Sequence, residues 1–145
     1  MTLDQLMEEW RKDSSIDQTE LGRESLRIPE LHSKYLKLYF EERRKAKSIE
    51  LQSKELALAK YEYYNGKMSQ EELDERGWEP FMKRLIKNEI EMYIESDKDI
   101  ITSNVKLVNQ KEKMGFLEDV IKHINQRNFI IKNAIDYLKF TNGIQ

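Results

Sequence analysis

Very little in this chain stops a helix. Its 145 residues include five glycines and two prolines, and between Glu30 and Tyr64 there is neither. Pro and Gly are the two strongest helix breakers. The stretch therefore predicts one helix of more than thirty residues, ended by Asn65-Gly66. Other boundaries carry their own signals. Thr2 is placed to cap a first helix through about Asp13, with Leu3, Leu6, Met7 and Trp10 as its apolar stripe, and Ser14-Ser15 breaks it. Asp17 and Glu20 have capping-box spacing, which predicts the next start, and Pro29 predicts a kink or restart. Ser69 with Glu72 opens a short helix that ends near Gly77, and Trp78 to Pro80 reads as a turn. Phe81, Leu85, Ile86, Ile90, Tyr93 and Ile94 predict another helix. Ser96, Asp97 and Asp99 predict the start of the last one, which runs to about Phe140 and stops at Asn142-Gly143. Gly115 is a soft point inside it, about 1 kcal/mol worse than Ala. The fold class is all-α: two long helices plus short helices, with strand content near zero.

The length suits one domain, 1–145. Charged residues make up 36% and apolar ones 39%, which is little apolar material for a compact globule. Long helices that complete their core against copies of themselves fit that balance. The C-terminal helix supplies a seam: Leu117, Ile121, Ile124, Asn128, Ile131, Ile135 and Leu138 alternate at spacings of four and three. Val120, Ile130, Ala134 and Tyr137 widen this face beyond what a two-helix seam needs. Asn128 is the kind of polar seam residue that fixes register and oligomer state. The same face could instead pack on the chain's own long helix. The expected organisation is N-terminal helices over 1–67 with a basic segment at 34–67, a short-helix connector at 68–95, and an oligomerisation helix at 96–145, forming a C-terminal helical bundle or coiled coil.

The net charge of −2 hides a pattern. Residues 31–67 carry nine basic and five acidic groups, and 100–145 carry seven and four. Residues 1–30 carry four and eight, and 68–99 five and ten. In the first basic segment Lys34, Lys37, Arg43, Arg44, Lys45, Lys47, Lys54, Lys60 and Lys67 interleave with Tyr35, Tyr39, Phe40, Tyr61, Tyr63 and Tyr64. Cations neutralise phosphates, and aromatic faces stack on unpaired bases, so the combination suits a single strand. One stripe of the long helix, Leu36, Phe40, Arg44, Lys47, Leu51, Lys54 and Leu58, mixes cations with apolar groups. Lys60 falls instead on the face of Leu31, Ile49 and Leu56, where a lysine is costly unless it snorkels out or meets an anion. A solvated face of mixed charge is the bland reading of the same segment.

Catalytic chemistry is missing. There is no cysteine, so disulfides and thiolate sites are excluded. The two histidines, His32 and His123, have Pro29 and Val120 where a di-iron bundle needs Glu. No phosphate-cradling Gly loop and no nucleophile elbow occur. The expectation is a non-enzyme with no cofactor and no metal. The opening MTLDQLMEEW is acidic and lacks an apolar core, and no run approaches the ~18 apolar residues of a membrane span. A reducing cytosolic compartment is expected.

Three stretches, in order, carry a family resemblance. Leu3-Asp4-Gln5-Leu6-Met7-Glu8-Glu9, followed by Lys12-Asp13 and Ile16-Asp17, resembles the N-terminus of the UvsY recombination mediators of T-even-like bacteriophages. So does Leu56-Ala57-Leu58-Ala59-Lys60-Tyr61-Glu62-Tyr63-Tyr64-Asn65-Gly66, the counterpart of a basic helix ending in Tyr-Tyr and a Gly stop. Ser96-Asp97-Lys98-Asp99 before a branched apolar pair is similar too. The resemblance implies a non-enzymatic mediator of phage DNA recombination, repair and recombination-dependent replication, in the cytoplasm of the infected host. It implies binding of single-stranded DNA, contact with the phage single-strand-binding protein and with the RecA-like recombinase UvsX, and replacement of the former by the latter. It also implies a ring-like homo-oligomer, a hexamer or heptamer, built through the C-terminal region. Two cations two residues apart are tied to strand binding in that family. Here the second is Lys60 and the first position is Leu58, which leaves Lys54, Lys47, Arg44 or Lys67 to share the role. The expected strand-binding set is Lys37, Arg43, Arg44, Lys47, Lys54, Lys60, Tyr61, Tyr64 and Lys67. A coiled-coil scaffold or adaptor without nucleic-acid binding is the competing class, and a helical RNA-binding regulator is a third.

Overall fold

Five helices in a computed structural model account for most of residues 1–143, the residues the structure describes. They are α1 (Leu3–Ser14), α2 (Leu21–Tyr64), α3 (Gln70–Arg76), α4 (Lys87–Glu95) and α5 (Lys98–Thr141), and no strand occurs among the described residues. Ile144 and Gln145, the end of the expected oligomerisation segment, lie outside them. The chain folds as two compact units: Met1–Arg44 with the chain from Gln110 onward, and Lys45–Asn109. Both α2 and α5, at 44 residues each, contribute to both units.

The first unit is built on an apolar core of Leu6, Leu31, Tyr35, Leu117, Val120 and Ile124, none more than 4% exposed. These residues come from α1, α2 and α5, so α1 buries one stripe against both long helices. Thr2 caps α1: its hydroxyl accepts the Gln5 N–H while the Gln5 side chain accepts the Thr2 N–H. Trp10 meets the ring of Tyr35 edge-on at 5.3 Å. The C-terminal end of α1 presents carbonyls that lack helical donors, and two arginines supply them. Arg27 of α2 donates to the Asp13 carbonyl at 3.0 Å. Arg127 of α5 donates to the Ser14 and Ser15 carbonyls at 3.1 and 2.9 Å and pairs with Glu24. A cation also suits the negative end of the helix dipole. Asp13 receives the Tyr35 hydroxyl at 2.8 Å and the Lys34 ammonium at 2.6 Å. Burial opposes its charge, but these two donors win and hold its pKa below the ordinary aspartate value.

The second unit packs segments of α2 and α5 with α3 and α4. Ala46, Ile49, Ala59, Leu73, Ile90 and Ile100 are its buried apolar residues. Ser69 caps α3 through the Glu72 N–H, as its spacing predicts. Gly77 closes α3 with φ +68, a left-handed conformation that a Cβ disfavours. Asp97 caps α5 by accepting the N–H groups of Asp99 and Ile100 at 2.8 and 3.2 Å.

Two local expectations fail, and the restart allowed for at Pro29 does not occur. Asp17 does not cap α2. Its carboxylate turns back on the Thr19 N–H and hydroxyl, and the helix begins four residues later at Leu21. Pro29 does not interrupt α2, which runs through it. Pro29 and Ser25, whose carbonyl loses its donor, both lie on the exposed side, while Ile28 and Leu31 beside them are held in the core. The helix expected from Phe81 begins only at Lys87, because Phe81 is drawn into an aromatic cluster instead.

Candidate nucleic-acid interface

In the second unit, Lys47, Leu51, Lys54, Leu58 and Tyr61 follow one another along α2 at spacings of four and three. That spacing places them on one helix face over about 21 Å. The face is open: Leu51 is 63% exposed, Leu58 61% and Tyr61 42%. Among the described residues Lys47 reaches one loose partner, Glu50 at 3.7 Å, with its side chain 67% exposed. Lys54 and Lys67 are exposed as well. In the first unit, α2 exposes Lys37, Arg43, Arg44 and Phe40. Each group offers exposed cations beside apolar or aromatic surface. Such a surface can neutralise phosphates and stack on bases. Among the described residues no cluster of His, Asp and Glu is placed to hold a metal ion, and no helix is long and apolar enough to cross a membrane.

Lys60 is placed differently. It follows Leu58 by two residues, about 200° round the helix, and is 4% exposed. Its ammonium lies 3.1 Å from Asp97 and 2.9 Å from Asp99, and 3.8 Å from the centre of the Trp78 ring. A buried ammonium costs several kcal/mol unless it is paired, and here two carboxylates and an aromatic face pair it. Gly77 delivers Trp78 to that place: its left-handed turn lets the Trp78 N–H reach the Leu73 carbonyl at 3.0 Å. Tyr64 is also engaged, donating its hydroxyl to Asp97 at 2.6 Å. Its pKa is raised, by burial first and by that carboxylate second. For Asp97 burial works against the charge, but the donors Tyr64, Lys60 and Ile100 N–H outweigh it and its pKa is lowered. The structure thus separates the expected strand-binding residues. Lys37, Arg43, Arg44, Lys47, Lys54, Tyr61 and Lys67 are exposed, and Lys60 and Tyr64 are used within the fold. Sequence reasoning missed the partners Asp97 and Trp78. The signal was there, a lysine on an apolar stripe that had to meet an anion, but nothing local named the anion.

The C-terminal seam is divided too. Leu117, Ile124 and Ile131 are buried within the first unit, Ile121 and Ile135 are half-buried, and Asn128 and Leu138 are exposed. Beyond the seam Phe129, Ile130, Tyr137 and Phe140 are 51–82% exposed. Ile130, Ala134, Tyr137 and Leu138 line a groove of about 350 Å³ with Ile16 and Leu21.

A family model described as the recombination, repair and ssDNA-binding protein UvsY matches residues 9–144. The chain belongs to the UvsY family. It is 29% identical over 143 residues to the recombination protein UvsY of Enterobacteria phage T4, covering 99% of each chain. Crystal structures of the bacteriophage T4 recombination mediator protein UvsY match its fold. Two of them superpose with a TM-score of 0.85 at 28% and 29% identity, covering 97% and 98% of this chain and 99% and 98% of theirs. The family is described by recombination, repair and ssDNA binding.

Two outcomes follow from the Lys60 site. Lys60→Met strands Asp97 without its buried counter-charge and lowers stability by about 3–5 kcal/mol in urea unfolding, whereas Lys54→Ala, on the open face, changes it by no more than about 0.5 kcal/mol. The contribution of Asp97 is complete above the ordinary aspartate pKa of about 3.9 and is lost as pH falls through its lower folded value. Unfolding followed from pH 6 down to 2 is therefore less steep on the acid side for Asp97→Asn, with the part due to Asp13 remaining.

Proposed function

We propose that this chain is a non-enzymatic recombination mediator that holds single-stranded DNA on the exposed face of α2. The observation that carries the reading is the open row Lys47, Leu51, Lys54, Leu58 and Tyr61, cations alternating with apolar and aromatic side chains, in a member of an ssDNA-binding family. Lys37, Arg43, Arg44 and Lys67 add phosphate contacts, and Phe40 adds a ring. Lys60 and Tyr64 serve the same surface indirectly, by holding α2 in place. Leu58 stands where the family resemblance calls for a cation, so the electrostatic share of binding passes to Lys54 and Lys47. In this reading the chain works in the cytoplasm of the infected host. It contacts the RecA-like recombinase UvsX and the phage single-strand-binding protein, and lets the first replace the second. A weak cationic face gains from repetition, since linked copies raise effective concentration. The segment 96–145 supplies the repetition, as a hexameric or heptameric ring assembled through the apolar surface around Ile130, Tyr137 and Leu138.

Fluorescence anisotropy with labelled single-stranded DNA, duplex DNA and RNA across a salt series tests the binding. Single-stranded DNA is expected to bind most tightly, with log affinity falling linearly in log salt. For Lys47→Ala with Lys54→Ala that slope becomes shallower by about 1.4, from roughly 0.7 per lost phosphate contact on a single strand. Absence of binding at low salt would leave a helical scaffold as the better description, and a preference for RNA would favour a regulator of RNA. For the ring, light scattering of Tyr137→Glu with Leu138→Glu is expected to show a smaller particle of unchanged helicity. A mass equal to that of the native chain removes this surface from the assembly.

A further inference from the structure

The segment 81–86 is not helical, and it lies along the end of α2. Phe81 fixes it there. Its ring is 4.9 Å from that of Tyr64, 5.7 Å from Tyr63 and 5.6 Å from Tyr93, centre to centre. Between this segment and the turn after α2 runs a groove of about 460 Å³, lined by Tyr64, Asn65, Gly66, Phe81, Lys83 and Arg84 among others, with no carboxylate in its lining. Lys67 follows Gly66 directly. Lys83 and Arg84 are exposed, and neither forms an ion pair among the described residues. Lys83 donates only to the Tyr93 hydroxyl, at 3.3 Å.

A structural explanation exists for cations here, because the C-terminal end of a helix carries about half an elementary negative charge. The last turn of α2 has no basic residue of its own. Half a charge absorbs less than one of three cations, however, and the carbonyls of Tyr61, Glu62 and Tyr63 already receive the N–H groups of Asn65, Lys67 and Gly66. Lys83 and Arg84 line an open groove that also holds apolar surface, including Met82 at 87% exposed.

We propose that this groove is a second strand-binding site, in which Lys83, Arg84 and Lys67 hold phosphates of single-stranded DNA and Phe81 and Met82 receive a base. This rests on the strand-binding reading above and extends it to residues that lie within a strongly acidic stretch of sequence. Within that stretch, 68–99, the pair Lys83-Arg84 is then a nucleic-acid contact.

The test is the salt series on the native chain and on Lys83→Ala with Arg84→Ala, at unchanged helicity and particle mass. The expected result is weaker binding and a slope shallower by about 1.4. In parallel, an iodouracil-substituted single strand is crosslinked to the native chain and adducts are mapped by mass spectrometry, with adducts expected on the 81–85 peptide. Strand binding by the native chain with an unchanged slope in the pair, or adducts confined to residues outside 64–67 and 81–85, overturns the groove and leaves the face of α2 standing. No binding by the native chain overturns both.

Discussion

One buried carboxylate organises the second unit. Asp97 accepts the first free N–H groups of α5 with one oxygen and the ammonium of Lys60 and hydroxyl of Tyr64 with the other. An ammonium that is 4% exposed cannot be left alone, and neither can a carboxylate 8% exposed. Each makes the other tolerable, and together they tie the end of α2 to the start of α5. Trp78 completes the arrangement by covering the ammonium with its ring, which in turn requires the left-handed turn at Gly77. The aromatic cluster of Tyr63, Tyr64, Phe81 and Tyr93 forms beside this anchor and decides where the chain after α3 can go.

The same anchor sorts the cations of α2 by task. Helical spacing sets Lys60 on a more apolar face than Lys54, but it names no partner for either. In the structure Lys60 points inward to fixed anions while Lys54 and Lys67 meet solvent. A ligand phosphate competes only for charge that is not already neutralised, so the outward set is left for a ligand while the inward one holds the unit together. Leu58 belongs to the outward face, which explains how a leucine is accommodated there: at 61% exposed it burdens no core, and it adds to the apolar surface that Leu51 and Tyr61 also expose. The first unit sorts its arginines in a similar way. Arg27 and Arg127 are consumed by the carbonyl end of α1, whereas Arg43 and Arg44 are open.

What could be read in advance was what local chemistry controls. The unbroken stretch from Glu30 to Tyr64, the Thr2 and Ser69 caps, the Gly77 stop and the Asn65-Gly66 stop depend on residues within one turn of each other, and all appear where the pattern places them. The apolar and cationic row on the outer face of α2 was equally visible, because helical spacing is enough to define it. The failures share a cause as well. Asp17 had a nearer donor in Thr19, and Phe81 left a helical pattern for partners 17 and 18 residues away, Tyr64 and Tyr63.

The sequence by itself determined that the chain is helical, where most helices begin and end, which face of α2 is rich in cations, and, through three ordered stretches, the family. These follow from backbone propensity, capping and periodicity, which act over a few residues. Only the tertiary structure decided which cations are free. Lys60 finds Asp97 at a separation of 37 residues and Arg127 finds Glu24 at 103, and Lys83 and Arg84 come to lie beside Gly66. Charge neutralisation depends on distance in space, and no periodicity in the sequence encodes that distance.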